Sequence, residues 1–290
     1  MSRSQPRRRT PWLAVSFTVQ STGTFYNETM KTILRAGLVA ALYTSLIHPA
    51  CAEWQGGVGP SVRNVTHTEY DTSGGRLVRE DGWLPGVALD ANYRSGKLNW
   101  LAGADWYHGN IDYTGRTQGG VAASSKTATG LASGHIGAAY ALPDDYSVQA
   151  TVELDRWKRD IQGTAGAAGL QETYRSTRLV AGGAKAWHPA VGRITVDAAA
   201  VVAAPERLHV GFSGVLDPVS FETHRSYGAR LGAALRPAAV PWLEVRARYD
   251  WIKTPRSGEA AITAGGQFAG TVAQPEHVRQ GMTLTVSALF

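Results

Sequence analysis

Met282-Thr283-Leu284-Thr285-Val286-Ser287-Ala288-Leu289-Phe290 is the stretch that decides the fold. Apolar side chains stand at every second position (Met282, Leu284, Val286, Ala288 and Phe290), and Thr283, Thr285 and Ser287 fill the gaps. Period-two alternation describes a β-strand with one apolar and one polar face.

Working back towards Glu53, the same pattern recurs in ten segments, centred on 55–69, 82–94, 98–112, 128–141, 147–159, 171–187, 193–207, 221–235, 242–253 and 279–290. In 242–253, Leu243, Val245, Ala247, Tyr249 and Trp251 alternate with Glu244, Arg246, Arg248 and Asp250. Val148, Ala150, Val152 and Leu154 alternate with Gln149, Thr151, Glu153 and Asp155, and Ile194, Val196, Ala198, Ala200 and Val202 form a comparable row. Segment 171–187 is less clean, because Arg175, Leu179 and Lys185 share a face and leave its phase open.

The connections sort by length. Those at 94–97, 142–146, 188–192 and 236–241 are short and carry turn residues, such as Ser95-Gly96 and Pro143-Asp144-Asp145. Those at 70–81, 113–126, 160–170, 208–220 and 254–278 are longer and rich in Gly, Ser or Ala. Short and long alternate throughout. A sandwich has no reason to sort its loops in this way, whereas a membrane barrel has short turns at one end and long loops at the other. No segment after Ile47 has the roughly 20 apolar residues of a spanning helix. A spanning chain without such helices must close its sheet on itself, so that lipid meets no unpaired backbone. The expected fold is therefore all-β: an antiparallel up-and-down transmembrane β-barrel of about ten strands. Tyr93, Trp100, Trp106, Tyr140, Tyr249 and Trp251, near strand ends, are candidates for interfacial girdles.

The terminal strand resembles the closing strand of Gram-negative outer-membrane β-barrels. That resemblance implies insertion among outer-membrane lipid and lipopolysaccharide. It also implies that the barrel-assembly machinery reads the C-terminal strand, with Phe290 as the assembly signal.

The N-terminal region is read in two parts. Residues 30–52 have the layout of a secretory signal peptide, with Lys31 and Arg35, a mostly apolar run from Ala36 to Ile47, and a small-residue site ending at Cys51-Ala52. Residues 1–29 read as an upstream extension or a long basic n-region, and 53–290 as the barrel. The formal charge of +6 belongs mostly to residues 1–52; residues 53–290 hold 23 basic and 22 acidic side chains. A nucleic-acid partner has no support in that balance. Cys51 is the only cysteine, so residues 53–290 have neither disulfide nor thiol chemistry.

The polar row places charges of both signs inside the barrel: Asp90, Asp105, Glu153, Asp155, Asp197, Arg230, Glu244, Arg246, Arg248 and Asp250. A ten-stranded barrel is narrow. Two functions are open for these charges. One is a minor porin with a charged constriction; the other is a structural or surface-interaction barrel whose lumen is plugged by paired charges.

An enzyme reading comes from a resemblance to the ten-stranded omptin proteases. Strand number, the stretch Tyr70-Asp71-Thr72-Ser73-Gly74-Gly75-Arg76 and the sequence Glu222-Thr223-His224 carry it. It implies that Glu222 and His224 activate a water at the rim. The acid differs from the family's Asp-x-His, and Asp112 stands alone where the family has Asp-x-Asp. His67, His108, His135 and His224 show no metal-ligand spacing, and no motif calls for a cofactor. A soluble secreted β-sandwich that binds a ligand is the remaining alternative.

Overall fold

The computed structural model describes residues 53–116, 122–164 and 168–290. The expectations about residues 1–52, signal peptide included, lie outside the described residues. The strands are β1 (Glu53–Tyr70), β2 (Arg76–Ser95), β3 (Leu98–Arg116), β4 (Ala122–Ala141), β5 (Tyr146–Ile161), β6 (Leu170–Trp187), β7 (Gly192–Ala203), β8 (Arg207–Gly211), β9 (Val219–Glu222), β10 (Ser226–Pro237), β11 (Leu243–Thr254), β12 (Ala260–Ala264), β13 (Gln267–Val272) and β14 (Glu276–Leu289). Ten of them, β1–β7, β10, β11 and β14, coincide with the ten alternating segments.

Each of these ten pairs antiparallel with its neighbour in the order β5-β4-β3-β2-β1-β14-β11-β10-β7-β6, and β6 returns to β5. The sheet is a closed barrel and not two stacked layers. First and last strands meet from Gly57↔Leu289 to Tyr70↔Glu276. Phe290 completes the seam through two backbone hydrogen bonds with Gly56, at 2.9 and 3.0 Å. Gly56 leaves room there for the Phe290 ring, which a Cβ would meet at 2.3 Å and push aside.

The face assignments hold. Val148, Val152, Leu154, Val196, Val202, Val245, Tyr249, Met282, Leu284 and Val286 point outward and are exposed. Glu153, Asp155, Arg230, Asp250, Thr283, Thr285 and Ser287 point inward and are buried. Trp54, Trp100, Tyr140, Tyr146, Trp187 and Trp242 ring the end with the short turns, and Trp83, Trp106, Tyr227 and Tyr249 stand further along the outer wall. The open phase of β6 is also resolved: Leu179 faces outward, so Arg175 and Lys185, on the same face, do too.

The long connections are a correction to the sequence reading. Much of what reads as loop is strand. β1 and β2 run on to a five-residue turn at 71–75, β8 and β9 continue the β7–β10 hairpin past a break at Ala204-Pro205, and β12 pairs with β13 inside 254–278. The physical reason is an inversion of phase. Along β5 the outward positions are Val148, Ala150, Val152 and Leu154, then Arg156, Lys158 and Asp160. The inward positions are Glu153 and Asp155, then Trp157, Arg159 and Ile161. Along β3, Trp106 gives way outward to His108, Asn110 and Asp112, while Asp105 gives way inward to Tyr107 and Ile111. The barrel is apolar outside at one level. Beyond it the barrel is polar outside, around an apolar core of Val65, Leu84, Tyr107, Ile111, Leu131, Trp157, Tyr174 and Leu208. The outer wall is thus polar in the upper part and apolar in the lower part.

The inversion sets an expected outcome. Val152→Arg, on the apolar belt, lowers the folding stability of the barrel in lipid vesicles by about 2–4 kcal/mol, measured by denaturant titration. Asn110→Arg, outward above the inversion, leaves it within about 0.5 kcal/mol.

Candidate functional site in the barrel lumen

All ten charges expected in the lumen lie on the inward row, and nine of them are joined by ion pairs in successive levels. At the short-turn end Arg246 meets Glu244 at 2.6 Å and Asp90 at 3.4 Å, and Arg236 joins Glu244 at 3.3 Å. This level is partly open to solvent; the Arg246 side chain is 43% exposed. Asp197, the tenth, lies on the same inward row beside Gly232, where a Cβ would meet its Oδ1 at 2.2 Å.

In the next level Arg230 donates twice to Glu153, at 2.5 and 3.0 Å, and its Nε donates to Asp250 at 2.6 Å. Arg248 reaches Asp250 at 3.3 Å and Asp105 at 3.7 Å, and Arg63 reaches Asp250 at 3.7 Å. Asp155 accepts from Arg178 at 2.7 Å one step further on. Two-pronged pairing of a guanidinium with a carboxylate is the strong form of this interaction.

Alternation alone does not single out the level above. Arg159 sits among three carboxylates, at 2.5 Å from Glu172, 2.9 Å from Glu80 and 3.5 Å from Glu69. Thr127 donates to Glu80 at 2.5 Å, Tyr174 to Glu172 at 2.9 Å and Gln274 to Glu69 at 3.0 Å. The Arg159 guanidinium also lies 5.1 Å from the Trp157 ring centre and 5.9 Å from that of Tyr174. Beside this group Arg279 pairs with Glu206, and His67 shares a hydrogen bond with Glu69 at 2.9 Å. The side chains of Arg159, Glu80, His67, His277 and Glu206 are all at most 1% exposed. These residues come from the inverted part of the strands, where polar and apolar side chains mix on the inward face. The available signal was a Glu, Arg or His flanked at i±2 by aromatic or aliphatic residues, as in Trp157-Lys158-Arg159 and Glu172-Thr173-Tyr174.

Between the levels lies a cavity of about 30 Å³ bounded by Arg63, Asp155, Trp157, Arg178, Asp250 and Arg279. That is room for about one water, and the surrounding charges supply its partners. In the buried levels, side chains of opposite charge neutralise one another where water would otherwise stand.

The rim residues are placed differently. Glu222, at the end of β9, faces outward and accepts from Arg207 at 3.3 Å. His224 is exposed in the break before β10, and among the described residues no hydrogen bond or ion pair joins it to Glu222. The 70–76 stretch forms a turn in which Asp71 accepts from Ser73 and Gly75. No cluster of His, Cys, Asp and Glu among the described residues has the spacing of a metal site.

The fold is a closed antiparallel β-barrel of ten strands. No protein-family profile and no curated protein matches the chain. Among solved structures the barrel is similar to the outer-membrane protease OmpT from Escherichia coli, at 8% identity and TM-score 0.48, over 83% of this chain and 96% of that one. It is also similar to the translocator domain of the autotransporter NalP from Neisseria meningitidis, at 12% identity and TM-score 0.42, over 92% and 99%. A third is the neisserial surface protein A, at 10% identity and TM-score 0.33, over 82% and 97%.

Two expected outcomes follow from this geometry. Arg159→Met leaves three buried carboxylates without their shared cation. It destabilises the barrel by about 3–5 kcal/mol in denaturant titration, more than Arg246→Met at the solvent-open level. Above the barrel wall, Asp217 accepts from Thr263 and from the backbone of Gly266 and Gly265, which holds its carboxyl below the usual carboxylate range. A depressed folded value means that the tie is present above the ordinary carboxyl range and is lost as pH falls through the folded value. The amide resonance of Gly266 should shift with that titration in the wild type and stay still in Asp217→Asn.

Proposed function

We propose that this chain is an outer-membrane β-barrel whose lumen is sealed and whose role is structural or surface-presenting rather than that of a porin. The observation that carries the reading is the buried level around Arg159. A conducting constriction keeps its charged groups wetted, whereas here an arginine, several carboxylates and two imidazoles stand out of contact with solvent.

The apolar outward belt between aromatic residues supports residence in a lipid bilayer. Pairing of short turns with one end and extended strands with the other supports an orientation with the turns in the periplasm and the water-adapted extension outside. On this reading the outer-membrane lipid and lipopolysaccharide surround the belt, and the barrel-assembly machinery inserts the chain through β14 and Phe290. The lumen charges then hold the wall together from within. The β8–β9 and β12–β13 hairpins, tied by the Asp217 backbone N–H donating to the Thr263 carbonyl at 2.8 Å, form the presented surface.

The test is planar-bilayer recording on the folded, purified barrel. The expected result is a membrane that stays electrically silent after insertion, with insertion verified by protease protection in vesicles. Discrete, reproducible conductance steps from the wild-type protein would overturn the sealed-lumen reading.

A further inference from the structure

The outer wall carries an arrangement that the sealed lumen does not explain. Arg156 on β5 is directly paired across the sheet with Arg175 on β6, and Arg175 is directly paired with Arg207 on β8. Three outward arginines thus stand side by side on adjacent strands, with Cβ atoms about 4.5–5.5 Å apart at each step. Like charges directly opposed on one face of a sheet are destabilising. Among the described residues the row's one ion pair is Glu222 with Arg207, 3.3 Å apart at its end, and none reaches Arg156 or Arg175. All three are exposed, and Lys158 stands next on the same face of β5.

Their position is as informative as their charge. The row sits at the inversion of phase, one outward step beyond Leu154 on β5 and two beyond Leu179 on β6. An open groove of about 750 Å³ is lined by the three arginines, by Leu154, Thr177 and Pro205, and by two carboxylates, Asp155 and Glu222, which are paired with Arg178 and Arg207. A cationic row at the upper boundary of an apolar wall matches a molecule with anionic oxygens at one end and hydrocarbon at the other.

We infer that the Arg156–Arg175–Arg207 row is a binding site for the phosphate group of an outer-leaflet lipid, whose acyl chains lie on the wall below it. This inference rests on the proposed membrane residence. Guanidinium groups grip phosphate oxygens through paired, charge-assisted hydrogen bonds. A phosphate placed among the three relieves their mutual repulsion, and the same lipid covers Leu154 and Leu179 with hydrocarbon.

The experiment titrates fluorescent bisphosphorylated lipid A, and separately its dephosphorylated form, into the full barrel held in uncharged detergent micelles. Wild type should favour the phosphorylated lipid by about tenfold or more, since each charge-assisted contact is strong. The triple variant R156Q/R175Q/R207Q should bind both lipids within about twofold of each other. K185Q, at the opposite edge of the wall, should keep the wild-type preference.

Equal binding of both lipids by the wild type, or an undiminished preference in the triple variant, overturns the inference. Displacement of lipid A by inorganic phosphate in the low millimolar range, about 1–10 mM, also overturns it, because the site would then serve free phosphate. Heat-modifiable gel mobility is recorded for every variant. A barrel that fails to close, or never enters micelles, is thereby told apart from one that closes and has lost lipid selectivity. Removing adjacent like charges favours closure, and R175Q alone serves as the milder variant.

Discussion

Backbone hydrogen bonding without water is the constraint on which this structure rests. In hydrocarbon an unpaired N–H or C=O costs several kcal/mol, so a sheet that enters lipid must have no edge. The β1–β14 seam meets that demand by joining residues more than two hundred positions apart, from Gly57 with Leu289 to Tyr70 with Glu276. Once the sheet is closed, period-two alternation does the rest. One row of side chains faces lipid and the other has nowhere to go but the lumen, which is how Glu153, Arg230 and Asp250 come to meet although they lie far apart in sequence.

The lumen then faces a second problem. Polar side chains required by alternation are desolvated by the narrowness of ten strands, and desolvated charges are tolerable only in pairs. The structure answers with arginine as the common hub. Arg230 bridges Glu153 and Asp250, Arg246 bridges Glu244 and Asp90, and Arg159 bridges Glu69, Glu80 and Glu172. Arginine suits the role because its planar fork offers five donors and holds its charge. Exposure falls from the short-turn end, where the Arg246 side chain is 43% exposed, to Arg159 at 1%. The barrel is thus an open vestibule below and a solid core above.

The lower half was legible in the sequence because one rule, apolar out and polar in, governs it. Val148 to Leu154, Ile194 to Val202 and Leu243 to Trp251 can be read directly, and so can the ten lumen charges opposite them. The upper half was not legible, because the same strands obey the opposite rule there. Where Leu154 is followed by Arg156, Lys158 and Asp160, and Asp155 by Trp157, the alternation changes phase, and side-chain polarity no longer tells the inward row from the outward one. Arg159 and Glu172 were missed for that reason, His67 was weighed only as a metal ligand, and Glu80 and His277 fall in the stretches 70–81 and 254–278 that read as loops; pairing partners across a closed sheet also follow from register and not from neighbourhood in sequence. The phase of β6 was ambiguous for a related reason. Arg175 and Lys185 share the lipid-facing row, one at each end of it, so charge did not mark the lumen side.

That last placement has a mechanical consequence. Ten residues separate Arg175 from Lys185, about 33 Å of strand, which tilted by about 35–45° spans roughly 25 Å along the bilayer normal. The Lys185 side chain is held at its end, over the Tyr146 ring at 4.1 Å and against the Asp144 carbonyl. With a cation at either limit, vertical travel in one direction or the other drags an ammonium or a guanidinium into hydrocarbon. On the proposed membrane residence, the two cations favour one immersion depth, and a bilayer thicker than their spacing would have to pinch around the barrel.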